Sequence, residues 1–288
     1  MKIGIADYYY DLGCQVPVLE RYAKFRKVGF SCVDFNTART ETAFYTTSEE
    51  ELKGLIAQIR TQIEDAGLQV WQVHGPWCWP PVKDMTPEGR VVRAQEMKRS
   101  MLVAKLLGSK NWVVHPIMPH GIRDIPEQKE QETWDINKEF MSELLEYAKQ
   151  LDVTICLENM PMRNFSMARP VKILKFVREM DDAHFKICLD TGHVVYFPDL
   201  SLEQTVYDLA GEIRVLHVHD NGGEKDEHLF PGRGVADWTG FAKAMKDIGF
   251  DGVFSLETAP ADELSGEAYE KELAALFSAA RQIVSSIA

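Results

Sequence analysis

Between Ile187 and Glu257 the chain repeatedly ends a short apolar run on an acid or an imidazole. ICLDTGH delivers Asp190 and His193, VLHVHDN delivers His217 and His219, and FSLET delivers Glu257. Upstream, ICLENM delivers Glu158 in the same way, and the segment DEHLFPGRGVADW adds Asp226 and His228. An acid that closes a buried strand is costly unless a cation stands opposite it. Few Lys or Arg occur near these strand ends. A divalent metal ion meets the same need with Asp, Glu and His as its ligands. Asp190 and His193 form a D-x-x-H turn that can aim both side chains at one ion. His217 and His219 alternate along a strand and share a face. One of the two is expected to ligate, and the other to orient substrate or support the ligand. His74 and His115 each stand alone after a strand and read first as hydrogen-bonding residues of the rim.

These residues need a frame that brings strand ends together. Apolar runs rich in Val, Ile and aromatics recur at 2–7, 29–35, 68–75, 111–116, 153–159, 185–190, 215–220 and 252–257. They read as buried parallel strands. Between them lie helical stripes. Leu52, Leu55, Ile56, Ile59 and Ile63 form one, with Ser48 and Glu51 as a capping box and Gly67 as its stop. Phe140, Leu144 and Ala148 form another, Phe241, Met245 and Ile248 a third, and Leu273, Leu276, Phe277, Ala280 and Ile283 the last. Eight strand–helix pairs without a linker predict an α/β protein, a single (β/α)8 TIM barrel over 1–288. Its active site is expected at the C-terminal rim of the strands. The Pro-rich connections at 76–90 and 116–131 would be substrate loops on that rim.

Composition bounds the partners. The 288 residues carry a formal net charge of -12. Gripping a duplex through its phosphates needs a basic footprint, so nucleic acid is not an expected partner. No apolar run is long enough to span a bilayer. Five cysteines, Cys14, Cys32, Cys78, Cys156 and Cys188, form no CxxC pair. With no signal-peptide pattern at the start, this usage fits a reducing cytoplasm.

Several motifs resemble the xylose isomerase-like barrel superfamily, which holds sugar isomerases and epimerases, inosose dehydratase-like enzymes and endonuclease IV. They are HGPW at 74–77, VVHP at 113–116, CLENM at 156–160, CLDTGH at 188–193, HVHDN at 217–221, DEHLFPGRGVADW at 226–238 and SLET at 255–258. The resemblance covers essentially the whole chain. In its ketose 3-epimerase branch a Glu, Asp, His, Glu set holds the metal. By motif position that implies Glu158, Asp190, His217 and Glu257, with the two glutamates doubling as acid and base. His217 is selected because it precedes Asp220 by three residues, which makes His219 its neighbour. The resemblance also implies that His193 touches a substrate oxygen.

The endonuclease branch uses a three-zinc cluster, and its extra ligands map onto His74, His115, His193, Asp226 and His228. The acidic charge and the non-basic loops after strands one and two weigh against that activity. Epimerases of the family commonly carry an Arg a few residues past the ligand His. Here Gly222, Gly223 and Glu224 stand there, leaving Arg233 or Lys225 as substitutes.

The resulting expectation is a divalent-metal-dependent isomerase or epimerase of a small sugar, sugar phosphate or polyol, using Mn²⁺, Mg²⁺ or Zn²⁺. It would abstract a proton next to a carbonyl and pass through an ion-stabilised enediolate. Glu158 and Glu257 are the expected catalytic residues. His74, His115, His193, His219, Arg233 and Trp77 are expected to bind substrate, and His193, Asp226 and His228 to offer a further metal site. Tyr8, Tyr9, Trp77, Trp79 and Tyr196 would line the rim against a sugar face. A zinc phosphodiesterase of the endonuclease IV type and an inosose or dehydroshikimate dehydratase-like lyase are the alternatives. Assembly into a homo-oligomer is left open.

Overall fold

Eight short segments with buried side chains on both faces pair side by side in the computed structural model, which describes residues 1–7, 16–77 and 79–287. The strands are β1 (Lys2–Asp7), β2 (Cys32–Asn36), β3 (Gln69–His74), β4 (Asn111–Val114), β5 (Thr154–Glu158), β6 (Phe185–Asp190), β7 (Ile213–His217) and β8 (Val253–Leu256). All pairings are parallel, in the order β7-β6-β5-β4-β3-β2-β1-β8. A parallel bridge between Val218 and Leu256 joins the two ends of that order. The Val218 amide donates to Ser255 at 2.8 Å, and the Glu257 amide donates to Val218 at 3.0 Å. The molecule is therefore a single (β/α)8 barrel, as the alternation of strand and helix patterns predicts.

The helices are α1 (Val18–Val28), α2 (Ala43–Thr46), α3 (Glu49–Asp65), α4 (Pro87–Leu106), α5 (Glu127–Leu151), α6 (Pro170–Met180), α7 (Thr191–Val195), α8 (Leu202–Leu209), α9 (Trp238–Asp247) and α10 (Gly266–Ile287). Helix α3 starts where the sequence signals it. The Ser48 side chain accepts from the Glu51 amide, and Glu51 accepts from the Ser48 amide. It stops before Gly67, which turns the chain at φ 75°. The short α2 and α7 add to the eight-helix pattern, and both lie in loops at the C-terminal ends of strands.

The apolar stripes of the long helices pack on the outer face of the sheet in one continuous core. Inside the barrel, Val113, Cys156, Cys188 and Val215 form a separate small layer with Trp71. Strand side chains alternate, so two residues further along each strand the same inner face presents His115, Glu158, Asp190 and His217. The apolar layer is thus a floor, and the ionisable layer sits directly above it. Cys32, Cys156 and Cys188 are buried and free. No helix of the described residues is long and apolar enough to cross a membrane. Tyr8, Tyr9, Cys14 and Cys78 lie outside the described residues.

Candidate metal centre

Glu158, Asp190, His217 and Glu257 each place one candidate ligand atom within 4.8 Å of all the others. His217 Nδ1 lies 3.2 Å from Glu158 Oε1 and 3.3 Å from Glu257 Oε2. Glu158 is also met by His115 Nε2 at 3.3 Å and His74 Nε2 at 3.7 Å. His74, Glu158 and His217 form a second compact group that shares two members with the first. Strand pairing explains the convergence. Asp190 is in register with His217 across β6 and β7, and the bridge at Val218 carries Glu257 to the same level.

A third group lies one layer further out: His193, His219, Asp226 and His228. Asp226 sits among three imidazoles. Its Oδ2 is 3.3 Å from His193 Nε2 and 3.4 Å from His228 Nε2, and its Oδ1 is 3.7 Å from His219 Nε2. The rings of His219 and His228 stack with centroids 4.0 Å apart. His219 Nε2 also lies 3.1 Å from Asp190 Oδ2, which links this group to the first.

Local structure holds these side chains. Asp190 caps α7, its Oδ1 accepting from the His193 amide at 2.6 Å. Asn159 pairs with the backbone of Asp190 in both directions, and its own carbonyl accepts from His193 Nδ1 at 2.7 Å. His228 adopts a left-handed backbone, φ 48°, rare for a residue with a side chain. Hydrogen bonds fix it there: its Nδ1 donates to the Glu257 carbonyl, and Thr258 Oγ1 donates to the His228 carbonyl at 2.6 Å. Asp220 anchors the loop that carries Asp226 and His228. It accepts from the amides of Asn221, Gly232 and Ala236 and from Trp238 Nε1.

The electrostatics follow from burial against charge. Burial opposes ionisation of Glu158, yet the nearby His217 and His115 hold its carboxyl well below the usual range. Burial pushes Glu257 the other way, to a raised pKa that His217 only partly offsets, with the Glu158 charge adding to the rise. Burial disfavours a charged His217, but Cys188, Glu257, Glu158 and Asp34 raise it well above its ordinary value. His193 is likewise opposed by burial and still raised to about 10, chiefly by Asp190 and Asp226. Burial also opposes a charged His228, yet Asp226 and Glu257 together raise it to about 9. His74 is lowered to about 4 by burial and by its neighbour His115.

These residues fit a divalent cation. Both carboxylate oxygens of Glu158, Oε2 of Glu257 and both ring nitrogens of His217 are buried without a well-aligned hydrogen bond. Orphaned acceptors of this kind are expensive, and charged ones cost several kcal/mol each. A bound cation would satisfy the Glu158 and Glu257 oxygens and His217 Nδ1 together and favour the ionised form of both glutamates, whereas His217 Nε2 faces Asp34.

The centre opens into a cavity of about 330 Å³. Its wall includes Asn36, His74, Trp77, Trp79, His115 and Met160, with Glu158, His193, Asp226, His228 and Glu257 at its inner end. No Lys or Arg is among the described residues that line it. Trp77 and Trp79 stack at 5.9 Å on its outer edge. Arg233 lies outside. It pairs with Glu272 at 3.0 Å, covers the Phe230 ring and lines an adjoining cleft. Tyr196 also stands apart from the wall, with the Arg163 guanidinium 4.8 Å from its ring centroid. His219 lies behind the wall, against Asp190. Residues that the motifs did not single out complete the site. Asp34 of β2 reaches within 2.9 Å of His217 Nε2, and Gln72 of β3 donates to Asp34 at 2.9 Å. Their signal was an acid and an amide inside otherwise apolar strands.

An eight-stranded barrel with acid and imidazole at its strand ends defines the class, and the sequence comparison agrees. The chain belongs to the xylose isomerase-like TIM barrel family, whose model matches residues 22–279. It is 31% identical over 187 residues to an uncharacterised protein of Methanocaldococcus jannaschii. That match covers 64% of this chain and 63% of the archaeal protein, less than two thirds of its length. A D-psicose 3-epimerase of Ruminiclostridium cellulolyticum is 24% identical over 268 residues, covering 89% of this chain and 83% of that enzyme. Among solved structures, a D-tagatose 3-epimerase-like protein superposes with TM-score 0.75 at 24% identity, covering 99% of this chain and 98% of that one.

Proposed function

We propose that this chain is a divalent-metal-dependent isomerase or epimerase of a small sugar or polyol. The observation that carries the reading is the placement of Glu158 and Glu257 both beside His217 Nδ1, at 3.2 and 3.3 Å, with the two carboxylates in the wall of a cavity that has no Lys or Arg among the described residues lining it. The ketose 3-epimerases among its relatives support the same chemistry. A cavity of about 330 Å³ suits a monosaccharide.

Glu158, Asp190, His217 and Glu257 would hold the ion, which could be Mn²⁺, Mg²⁺ or Zn²⁺. When bound, it supplies Lewis acidity to a carbonyl beside the reacting C–H. The protein's own residues do the rest. One of Glu158 and Glu257 takes the proton from the carbon next to the carbonyl. The other carboxyl delivers a proton to the opposite face of that carbon for epimerisation. Delivery to the neighbouring carbon gives aldose–ketose isomerisation. His74, His115 and His193 orient substrate oxygens, and Trp77 covers an apolar sugar face. His219 packs against Asp190 and supports its orientation.

The test is solvent exchange. With a ketose substrate in D₂O, the product is expected to gain deuterium at the reacting carbon. Glu158→Gln and Glu257→Gln should each lower turnover roughly 100- to 10,000-fold, the usual worth of a general acid or base. Retention of the substrate hydrogen would replace proton abstraction with hydride transfer.

A second reading rests on the cluster of His193, His219, Asp226 and His228. These side chains could hold a further ion and make the centre multinuclear, as a zinc phosphodiesterase requires. The charge of -12 opposes a nucleic-acid substrate. Metal stoichiometry separates the two. About one ion per chain favours the sugar enzyme, and about three zincs favour the phosphodiesterase.

A further inference from the structure

We infer that Asp34 is a positioning residue that sets which nitrogen of His217 meets the ion, namely Nδ1; the inference rests on the metal reading above. Three other imidazoles of the site share one arrangement. His74, His193 and His228 each donate from Nδ1 to a backbone carbonyl, of Gly75 at 2.8 Å, Asn159 at 2.7 Å and Glu257 at 2.7 Å. Their Nε2 atoms are left facing carboxylates. His217 is turned the other way, with Nδ1 between Glu158 and Glu257 and Nε2 2.9 Å from Asp34 Oδ2. Asp34 stands where a carbonyl stands for the other three.

The surroundings make Asp34 suited to this. It is 3% exposed, and Gln72 and His217 are fully buried. Gln72 Nε2 donates both to Asp34 Oδ2 and to the Leu216 carbonyl at 3.1 Å, which ties the carboxylate to the strand that carries His217. The His74 ring lies parallel to that of His217, 3° between planes, so the imidazole has little freedom to turn. The approach of Nε2 to Asp34 lies off the line of a well-formed hydrogen bond. Asp34 is nevertheless the acceptor that Nε2 faces. A carboxylate oxygen in that place favours a proton on Nε2 and leaves the Nδ1 lone pair for the ion. A carboxylate behind a ligand histidine commonly fixes tautomer and raises ligand basicity.

The test uses metal-free protein titrated with Zn²⁺ by calorimetry, alongside nitrogen-15 NMR of histidine-labelled protein. Wild type should show the His217 Nδ1 resonance shifting on ion binding while Nε2 stays protonated. Asp34→Asn, nearly the same shape, should bind Zn²⁺ roughly 10- to 100-fold more weakly, with the His217 tautomer no longer single. If Asp34→Asn does not fold, Gln72→Ala removes the anchor of Asp34 and should shift affinity and tautomer in the same direction. Wild-type affinity in the variants, or an ion-induced shift at Nε2, overturns the inference and leaves the metal reading standing. A wild-type protein that takes up no ion overturns both.

Discussion

The ring of His228 donates from Nδ1 to the main-chain carbonyl of Glu257 at 2.7 Å. This bond ties the loop after β7 to the end of β8. It also joins the outer cluster around Asp226 to the inner cluster around His217, because Glu257 belongs to the latter. The two groups share a scaffold, so a change in one is felt in the other.

Removal of a proposed inner ligand is the most direct check on the centre. Asp190 is fully buried, in contact with His219, and caps α7. Asp190→Ala is expected to abolish ion uptake while the barrel remains folded, since the loss of one cap costs about 1 kcal/mol. Elemental analysis and circular dichroism on the same sample decide it. Full ion occupancy in the variant means that the proposed ligand set is wrong.

Metal-free stability should depend on pH through the Asp226 cluster. His193 and His228 are raised, to about 10 and about 9, above an ordinary value of 6.5. Their contribution is therefore complete below pH 6.5 and lost as pH rises through those values. Asp226 is lowered, so its contribution is present above its ordinary 3.8 and lost in acid. In chelator, the melting temperature is expected to fall between pH 6.5 and 10. Asp226→Asn should flatten that fall, and an unchanged slope would show that Asp226 is not what holds the imidazoles charged.

Gly192 is a steric prerequisite of the outer cluster. A Cβ built there would lie only 2.1 Å from Cε1 and 2.4 Å from Nδ1 of the His219 ring. Gly192→Ala should displace that ring from Asp190 and Asp226 and destabilise the fold by roughly 1–3 kcal/mol, the usual penalty of overpacking. Thermal unfolding and ion affinity should both respond. A variant with unaltered melting and unaltered ion uptake would show that the ring has room to move.

The phosphodiesterase reading has its own check. With a net charge of -12, no tight binding to an abasic duplex is expected at moderate salt, and no incision with Zn²⁺ present. Gel-shift and nicking assays measure both. Strand cleavage that disappears with chelator and with His115→Ala would replace the sugar enzyme by the nuclease.

Much of this protein is legible in its residues because two periodicities are simple. Apolar runs ending on Glu158, Asp190, His217 and Glu257 could be read as strands with polar tips, and the Ser48–Glu51 cap and Gly67 stop bounded α3 to within a residue. Alternation along each strand then puts the tips on one face. Local patterns are silent about partners far away in the chain. Asp34 and His217 are distant in sequence, and only barrel closure brings them to 2.9 Å. Arg233 resembled a substrate ligand by its place in the loop, whereas packing turns it to Glu272 on α10. Asp220 looked like part of a ligand motif, yet four hydrogen-bond donors of its own loop and of Trp238 converge on it. The sequence alone determined which side chains reach the rim, because that depends on period and strand ends. Which of them face one another, and which nitrogen of each histidine points inward, was decided by the tertiary structure, because those are properties of strand register and loop path.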